Sequence, residues 1–80
     1  MEISPDYFLD ITAEICPFTF VKTKLMLEKM SAGQTLAVDL RGAEPLRNVP
    51  ASVREEGHTV LSLTPAAGDG VMRMLIRKGG

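Results

Sequence analysis

The hydrophobic periods along these 80 residues predict a two-layer α+β domain of order β-α-β-α-β-β, a four-stranded mixed sheet with two helices on one face. Three observations carry that expectation. Four segments alternate apolar and polar residues with a period of two, and two longer segments repeat with the period of an amphipathic helix. Proline or glycine punctuates the joins, at Pro17, Gly33, Gly57 and the run from Pro65 to Gly70. No repeat, linker or low-complexity stretch divides the chain, so residues 1–80 read as a single domain.

The first strand covers Tyr7 to Thr12, where Leu9 and Ile11 alternate with Asp10 and Thr12 and face the core. Ala13 to Ile15 connects it to a helix over roughly 17–31, opened by Pro17, whose fixed φ and missing N–H suit a first helical position. At about 100° per residue, Thr19, Phe20, Thr23, Met26, Leu27 and Met30 share one face, which is expected to pack on the sheet. Phe18, Val21 and Leu25 lie almost opposite, bordered by Lys22, Lys29 and Glu28. Two readings of that second strip stay open: scattered surface hydrophobes, which are ordinary, or a strip where partners dock on Phe18, Val21, Lys22 and Leu25. Gly33 is placed to close the helix in a left-handed conformation.

Gln34 to Leu40 is the second strand, with Leu36, Val38 and Leu40 inward and Asp39 outward. Joined to the first by a helix, it is expected to run parallel to it. Arg41 to Pro45 reads as a turn-rich loop at the end of the sheet where open α/β folds bind ligands. Arg41 either neighbours Cys16 there or is solvated. Leu46, Val49 and Val53 predict a short helix from 46 or 49 to 56, with Pro50 in its first turn and Gly57 as its stop. Thr59–Leu63 and Val71–Lys78 form a closing hairpin. Met72, Met74 and Ile76 face the core, Arg73, Arg77 and Lys78 make a small basic strip, and Gly79-Gly80 is expected to be loose.

Composition removes several function classes. Nine Lys and Arg against ten Asp and Glu give a net charge of −1, unlike the strongly basic domains that bind nucleic acid nonspecifically. No apolar run is long enough to span a bilayer, and the first six residues lack the basic and apolar regions of a secretory signal, so a cytoplasmic location is expected. With one cysteine and one histidine, the chain is not expected to hold a structural zinc ion or another cofactor. His58 has no cysteine or carboxylate at catalytic spacing and is read as structural or surface.

That one cysteine, Cys16, directly precedes Pro17 and so falls at or near the N-cap of the first helix. Unpaired N–H groups and the positive end of the helix dipole favour thiolate there. The dipole supplies about 0.3–1 kcal/mol, less than about one pKa unit. A larger shift needs direct hydrogen bonds from the amides of Phe18 or Thr19, while Glu14 opposes it if its carboxylate lies near the sulfur. The alternative is a small buried hydrophobe, common for free cysteine.

These residues resemble the TusA/SirA-like sulfur-carrier (sulfurtransferase) family. Leu9-Asp10 stands where the family has Leu-Asp before a loop, and Cys16-Pro17-Phe18-Thr19 where it has Cys-Pro-x-Pro. Lys22 and Lys24 match its basic pair, Asn48-Val49-Pro50 its Asp-Ile-Pro, and Gly57-His58 its Gly-His. The chain departs at Thr19, at Ala13 in place of a glycine, and at Glu14 in place of a leucine.

The resemblance implies a relay in which Cys16, supported by Asp10, Glu14, Pro17, Phe18 and Thr19, holds sulfane sulfur as a persulfide. The sulfur would pass from a donor protein, a cysteine desulfurase or rhodanese, to an acceptor protein, with the carrier working as a monomer. Family acceptors serve tRNA thiolation, molybdenum-cofactor synthesis or sulfur oxidation, and the residues do not choose among them. Two other classes stay open: a binding or regulatory module with an inert cysteine, and an RNA-binding domain, since the expected fold resembles the C-terminal domain of initiation factor three.

Overall fold

A computed structural model of the chain describes residues 5–13, 18–66, 68 and 70–79. Its elements are β1 (Tyr7–Asp10), α1 (Phe18–Lys29), β2 (Thr35–Arg41), α2 (Ala43–Glu55), β3 (Thr59–Pro65) and β4 (Val71–Arg77), the predicted order. The sheet runs β1-β2-β4-β3. β1 is parallel to β2, and β4 is antiparallel to both of its neighbours. The hairpin β3-β4 therefore folds back so that its second strand lies against β2, and β2 and β4 form the middle of the sheet.

Both helices cover one face. Leu27 and Met30 of the α1 region and Val49 and Val53 of α2 join Ile11, Leu36, Val38, Leu40, Met74 and Ile76 in one buried cluster, with Leu9, Phe20, Met26, Leu46 and Val60 packed against it. The inward stripe expected for α1 is the stripe that is buried. Met74 and Ile76 are inward as expected, with Met72 only partly covered toward the turn end of the hairpin.

Element bounds differ from expectation where side-chain chemistry intervenes. β1 stops at Asp10 because that carboxylate accepts hydrogen bonds from Thr12 N at 2.9 Å and Thr12 Oγ1 at 2.8 Å. An Asx turn of this kind takes the backbone out of the strand. Helix α2 begins at Ala43, inside the segment expected to be a loop. Pro45, not Pro50, occupies its first turn, where a missing N–H costs nothing. Pro50 sits in the helix interior, buried, and removes one intrahelical bond there. Strand β3 reaches Pro65 and carries a register shift between Val60 and Ser62.

The opposite face of the sheet is less polar and less basic than expected. Asp39, directly across from Arg73, is only 8% exposed. Arg73 donates from Nε to Asp39 Oδ1 at 2.8 Å and from Nη2 to Oδ2 at 3.1 Å, and its guanidinium lies 5.3 Å from the centre of the Phe8 ring. The pairing holds the Arg73 pKa above its ordinary value, through the hydrogen bond first and the charge of Asp39 second. The expected basic strip is also split by the sheet's alternation: Lys78 donates from Nζ to the Leu27 carbonyl at the end of α1, where a cation meets the negative end of the helix dipole.

Gly79 is not loose. Lys78 N donates to Gln34 O at 2.8 Å, Gly33 N donates to Lys78 O at 2.9 Å, and Gly79 N donates to His58 Nδ1 at 3.0 Å. Gly33 takes the expected positive φ, 89°. Gly80 lies outside the described residues.

Candidate functional site

The C-terminal ends of the two parallel strands and the N-terminal ends of both helices share one end of the sheet. Asp10 of β1 lies in register with Asp39 of β2, and Ile11 N donates to Asp39 O at 3.1 Å, carrying β1's pairing one residue past its end. Ile11 then drops into the core at 1% exposed. The Asx turn at Asp10–Thr12 redirects the chain toward α1, which begins again at Phe18. Thr12's two hydrogen bonds hold the Asp10 carboxyl below its ordinary pKa, the backbone bond contributing most, so Asp10 stays ionised while it shapes this turn.

Glu14, Cys16 and Pro17, the residues on which the sequence places the chemistry, lie outside the described residues. What surrounds them in the chain is described. Phe18 is 55% exposed in the first turn of α1. Thr19 is fully buried, and its hydroxyl oxygen has no hydrogen-bond partner among the described residues. Thr23, one turn on, is also buried but donates from Oγ1 to the Thr19 carbonyl at 2.8 Å. Thr19 thus faces inward, as the helical spacing predicted.

Phe18, Val21 and Leu25, at 55%, 44% and 53% exposed, form an outward strip on α1, and Lys22 beside them is exposed. Lys24, on the other flank, meets Glu56 at 3.6 Å, so that flank faces the end of α2. Arg41 closes β2, and Gly42, with φ 102°, turns the chain directly into α2 without a side-chain cap. The first turn of α2 therefore presents backbone N–H groups at the same end of the sheet as the start of α1.

Sequence reasoning missed two features here. Asp10-x-Thr12 is a readable Asx-turn spacing that was taken as strand. The contact of Phe8, Asp39 and Arg73 was not readable, because it depends on strand register between segments 34 residues apart.

With this arrangement in view, comparison with known proteins is informative. The family model described as sulfurtransferase TusA matches residues 7–78. The chain belongs to the TusA family. An Archaeoglobus fulgidus relative of this TusA-family chain, named "Putative sulfur carrier protein", is 44% identical over 77 residues, covering 96% of this chain and 86% of the relative. The Escherichia coli K12 protein named "Putative sulfur carrier protein YedF" is 35% identical over 77 residues, covering 95% of this chain and 96% of its own. The fold is shared with the crystal structure of a SirA-like protein from Desulfitobacterium hafniense, with a TM-score of 0.78 at 19% identity over 92% of this chain and 99% of that one. No helix among the described residues of the TusA-family chain is long and apolar enough to cross a membrane.

Proposed function

We propose that this TusA-family protein is a sulfur carrier that holds sulfane sulfur as a persulfide on Cys16. The observation that carries the reading is the coincidence of family membership with the position of the chain's one cysteine, two residues before the start of α1 as described. Cys16 thiolate attacks the outer sulfur of a donor protein's persulfide; a new S–S bond forms at Cys16, the donor's S–S bond breaks, and the donor leaves as a thiolate. An acceptor thiolate then attacks the outer sulfur on Cys16 and releases the Cys16 thiolate. Each step exchanges one S–S bond for another, so no external oxidant is consumed.

The supporting residues have roles that follow from their chemistry. Phe18 and Thr19 lie in the first turn of the helix whose N-terminal N–H groups favour thiolate, Asp10 shapes the turn leading to it, Pro17 is of a residue type suited to a first helical position, and Glu14 opposes the thiolate if its carboxylate lies near the sulfur. One cysteine leaves no intramolecular partner to discharge the persulfide as a disulfide. The donor is a cysteine desulfurase or rhodanese and the acceptor a second protein, with the carrier acting as a monomer in the cytoplasm.

The test is incubation with a cysteine desulfurase and sulfur-labelled cysteine, followed by intact mass under non-reducing conditions. One added sulfur is expected on the wild type and none on a folded Cys16→Ser variant. Undiminished label on that variant overturns the reading.

A further inference from the structure

No element among the described residues covers the face of the sheet opposite the helices, and the side chains there run in rows across the four strands. One row is apolar. Phe8 of β1 lies in register with Ala37 of β2, Ala37 with Leu75 of β4, and Leu75 with Ser62 of β3, where the register shift sets the extra residue Leu61 alongside. Leu9, Leu36, Val38, Met74 and Ile76 belong to the core or pack on it, so by alternation Phe8, Ala37, Leu75 and Arg77 turn to the open side. Phe8 and Leu61, at the two ends of the row, are 50% and 40% exposed; Leu75 is half-buried, and Ala37 is the low point between Phe8 and Leu75.

Charge is sorted across the same face. Asp10 at the end of β1 and Asp6 just before it, which lies beside Thr35, make the β1 side acidic. Arg73 and Arg77 make β4 basic, and both are exposed even though Arg73 also holds Asp39. A second copy turned over about an axis along the strands lies with its strand order reversed, β3 over β1 and β4 over β2. Each row then meets itself in the opposite direction. Leu75 of one copy comes over Ala37 of the other and Leu61 over Phe8, so large side chains meet the low point and the ends of the row close on each other. In the flanking rows Arg77 comes over Thr35 beside Asp6, and Arg73 over Asp39 beside Asp10. An axis across the strands would instead stack Asp10 on Asp6 and Arg73 on Arg77, like charge on like.

We infer that the open face of the sheet binds a second copy of the chain about a two-fold axis along the strands, its β4 arginines meeting the aspartates on the β1 side of its mate. A face whose acidic and basic sides are exchanged by its own two-fold axis is complementary to itself, which selects this occupant over an unrelated protein. The geometry is that of aligned sheets packed about 10 Å apart. Four strands about 4.8 Å apart and seven residues at about 3.3 Å each bound the face at about 450 Å² per copy. Twice that area is well below the roughly 1,600 Å² of a standard interface. The pair is therefore weak and exchanges with the single copies that act as carriers. Both helices stay on the far side of each sheet, uncovered by the pairing, and the inference is independent of the sulfur chemistry.

The test is NMR of the full chain under reducing conditions, which keep Cys16 from joining copies as a disulfide. Raising the concentration from about 20 µM to about 2 mM, a range that spans weak affinities, should shift the amides of Phe8, Ala37 and Leu75 and leave those of α1 in place. In a mixture of isotope-labelled and unlabelled chain, filtered spectra should show contacts between copies from the Ala37 methyl to the Leu75 methyls and from the Phe8 ring to Leu61. Leu75→Asp should weaken the association about fivefold or more, and Arg77→Glu should weaken it most at low salt. Sulfur loading of folded Leu75→Asp should match wild type, so failure of the pairing and failure of the carrier reading are seen separately. If Leu75→Asp does not fold, Arg77→Glu and the contacts between copies decide. Absence of concentration-dependent shifts, shifts confined to α1 or to the free edge of β3, or Arg77→Glu associating as wild type at low salt each overturns the inference.

Discussion

Replacing Gly79 with alanine tests how the end of the sheet is held. A Cβ built there would lie 2.0 Å from the Gly57 carbonyl oxygen, 2.9 Å from its carbon and 3.5 Å from His58 N. All three are backbone atoms, so no side chain can swing aside. The turn they belong to is itself pinned, with Gly57 N donating to Arg54 O at 3.0 Å and His58 N to Val53 O at 3.2 Å. Residue 79 must therefore lift, which breaks the Gly79 N–H to His58 Nδ1 bond and pulls on the adjoining pair between Lys78 and residues 33–34. One to two hydrogen bonds at about 0.5–1.5 kcal/mol each give a loss of about 0.5–3 kcal/mol. Each kcal/mol moves the melting midpoint by about 4–8 °C in a domain of this size.

The measurement is urea and thermal unfolding of Gly79→Ala beside Gly33→Ala. Gly33 also has a positive φ, 89°, but nothing lies within 4 Å of its added Cβ. That variant should lose about 1–2 kcal/mol from backbone conformation alone and leave the His58 ring resonances in place, whereas Gly79→Ala should shift them. A Gly79→Ala protein within about 0.5 kcal/mol of wild type, with unshifted His58 resonances, refutes the reasoning.

Three further outcomes are expected. The His58 pKa is lowered by burial first and by the charge of Lys78 second, with Glu56 opposing; neutral His58 is the form that accepts from Gly79, so its contribution to stability is present above the unfolded histidine pKa and lost as pH falls through the lower folded value. His58→Asn, which keeps an acceptor without titrating, should flatten the part of the stability profile lying just below pH 6.5, and an unchanged profile between wild type and variant counts against the hydrogen bond. Thr19→Val should be neutral or stabilising, because it replaces a buried hydroxyl with no partner among the described residues by an apolar group of the same shape, while Thr23→Val should cost about 0.5–1.5 kcal/mol for its bond to the Thr19 carbonyl; equal losses in chemical denaturation would contradict the difference between the two sites. Thr12→Val should raise the Asp10 pKa part of the way toward its ordinary value by removing the Oγ1 bond while keeping the backbone bond of the Asx turn, read by NMR titration of the Asp10 side chain, and no upward movement would mean the Thr12 hydroxyl does not stabilise the carboxylate.

The chain's order of elements, both faces of α1, the inward set of β2 and β4 and the family motif around Cys16 were all legible in the sequence. Each is a local property: periodicity reports which side of an element avoids water, and Thr19, Thr23, Leu27 and Met30 are buried because they recur at helical spacing. The start of α2 was misread because Gly42 and Pro45 carry strong turn signals, and proline is equally at home in a first helical turn. Tertiary structure alone decided that β4 inserts beside β2, since strand order depends on which edges find one another across the fold. That pairing sets Arg73 opposite Asp39 and over Phe8, so one cation of the expected basic strip is held by a carboxylate. It also brings residues 78 and 79 against Gln34 and His58, so a di-glycine end that looks slack in sequence becomes a close backbone contact at Gly79. Contacts between distant segments depend on register and close approach, and neither is encoded in the period of any single element.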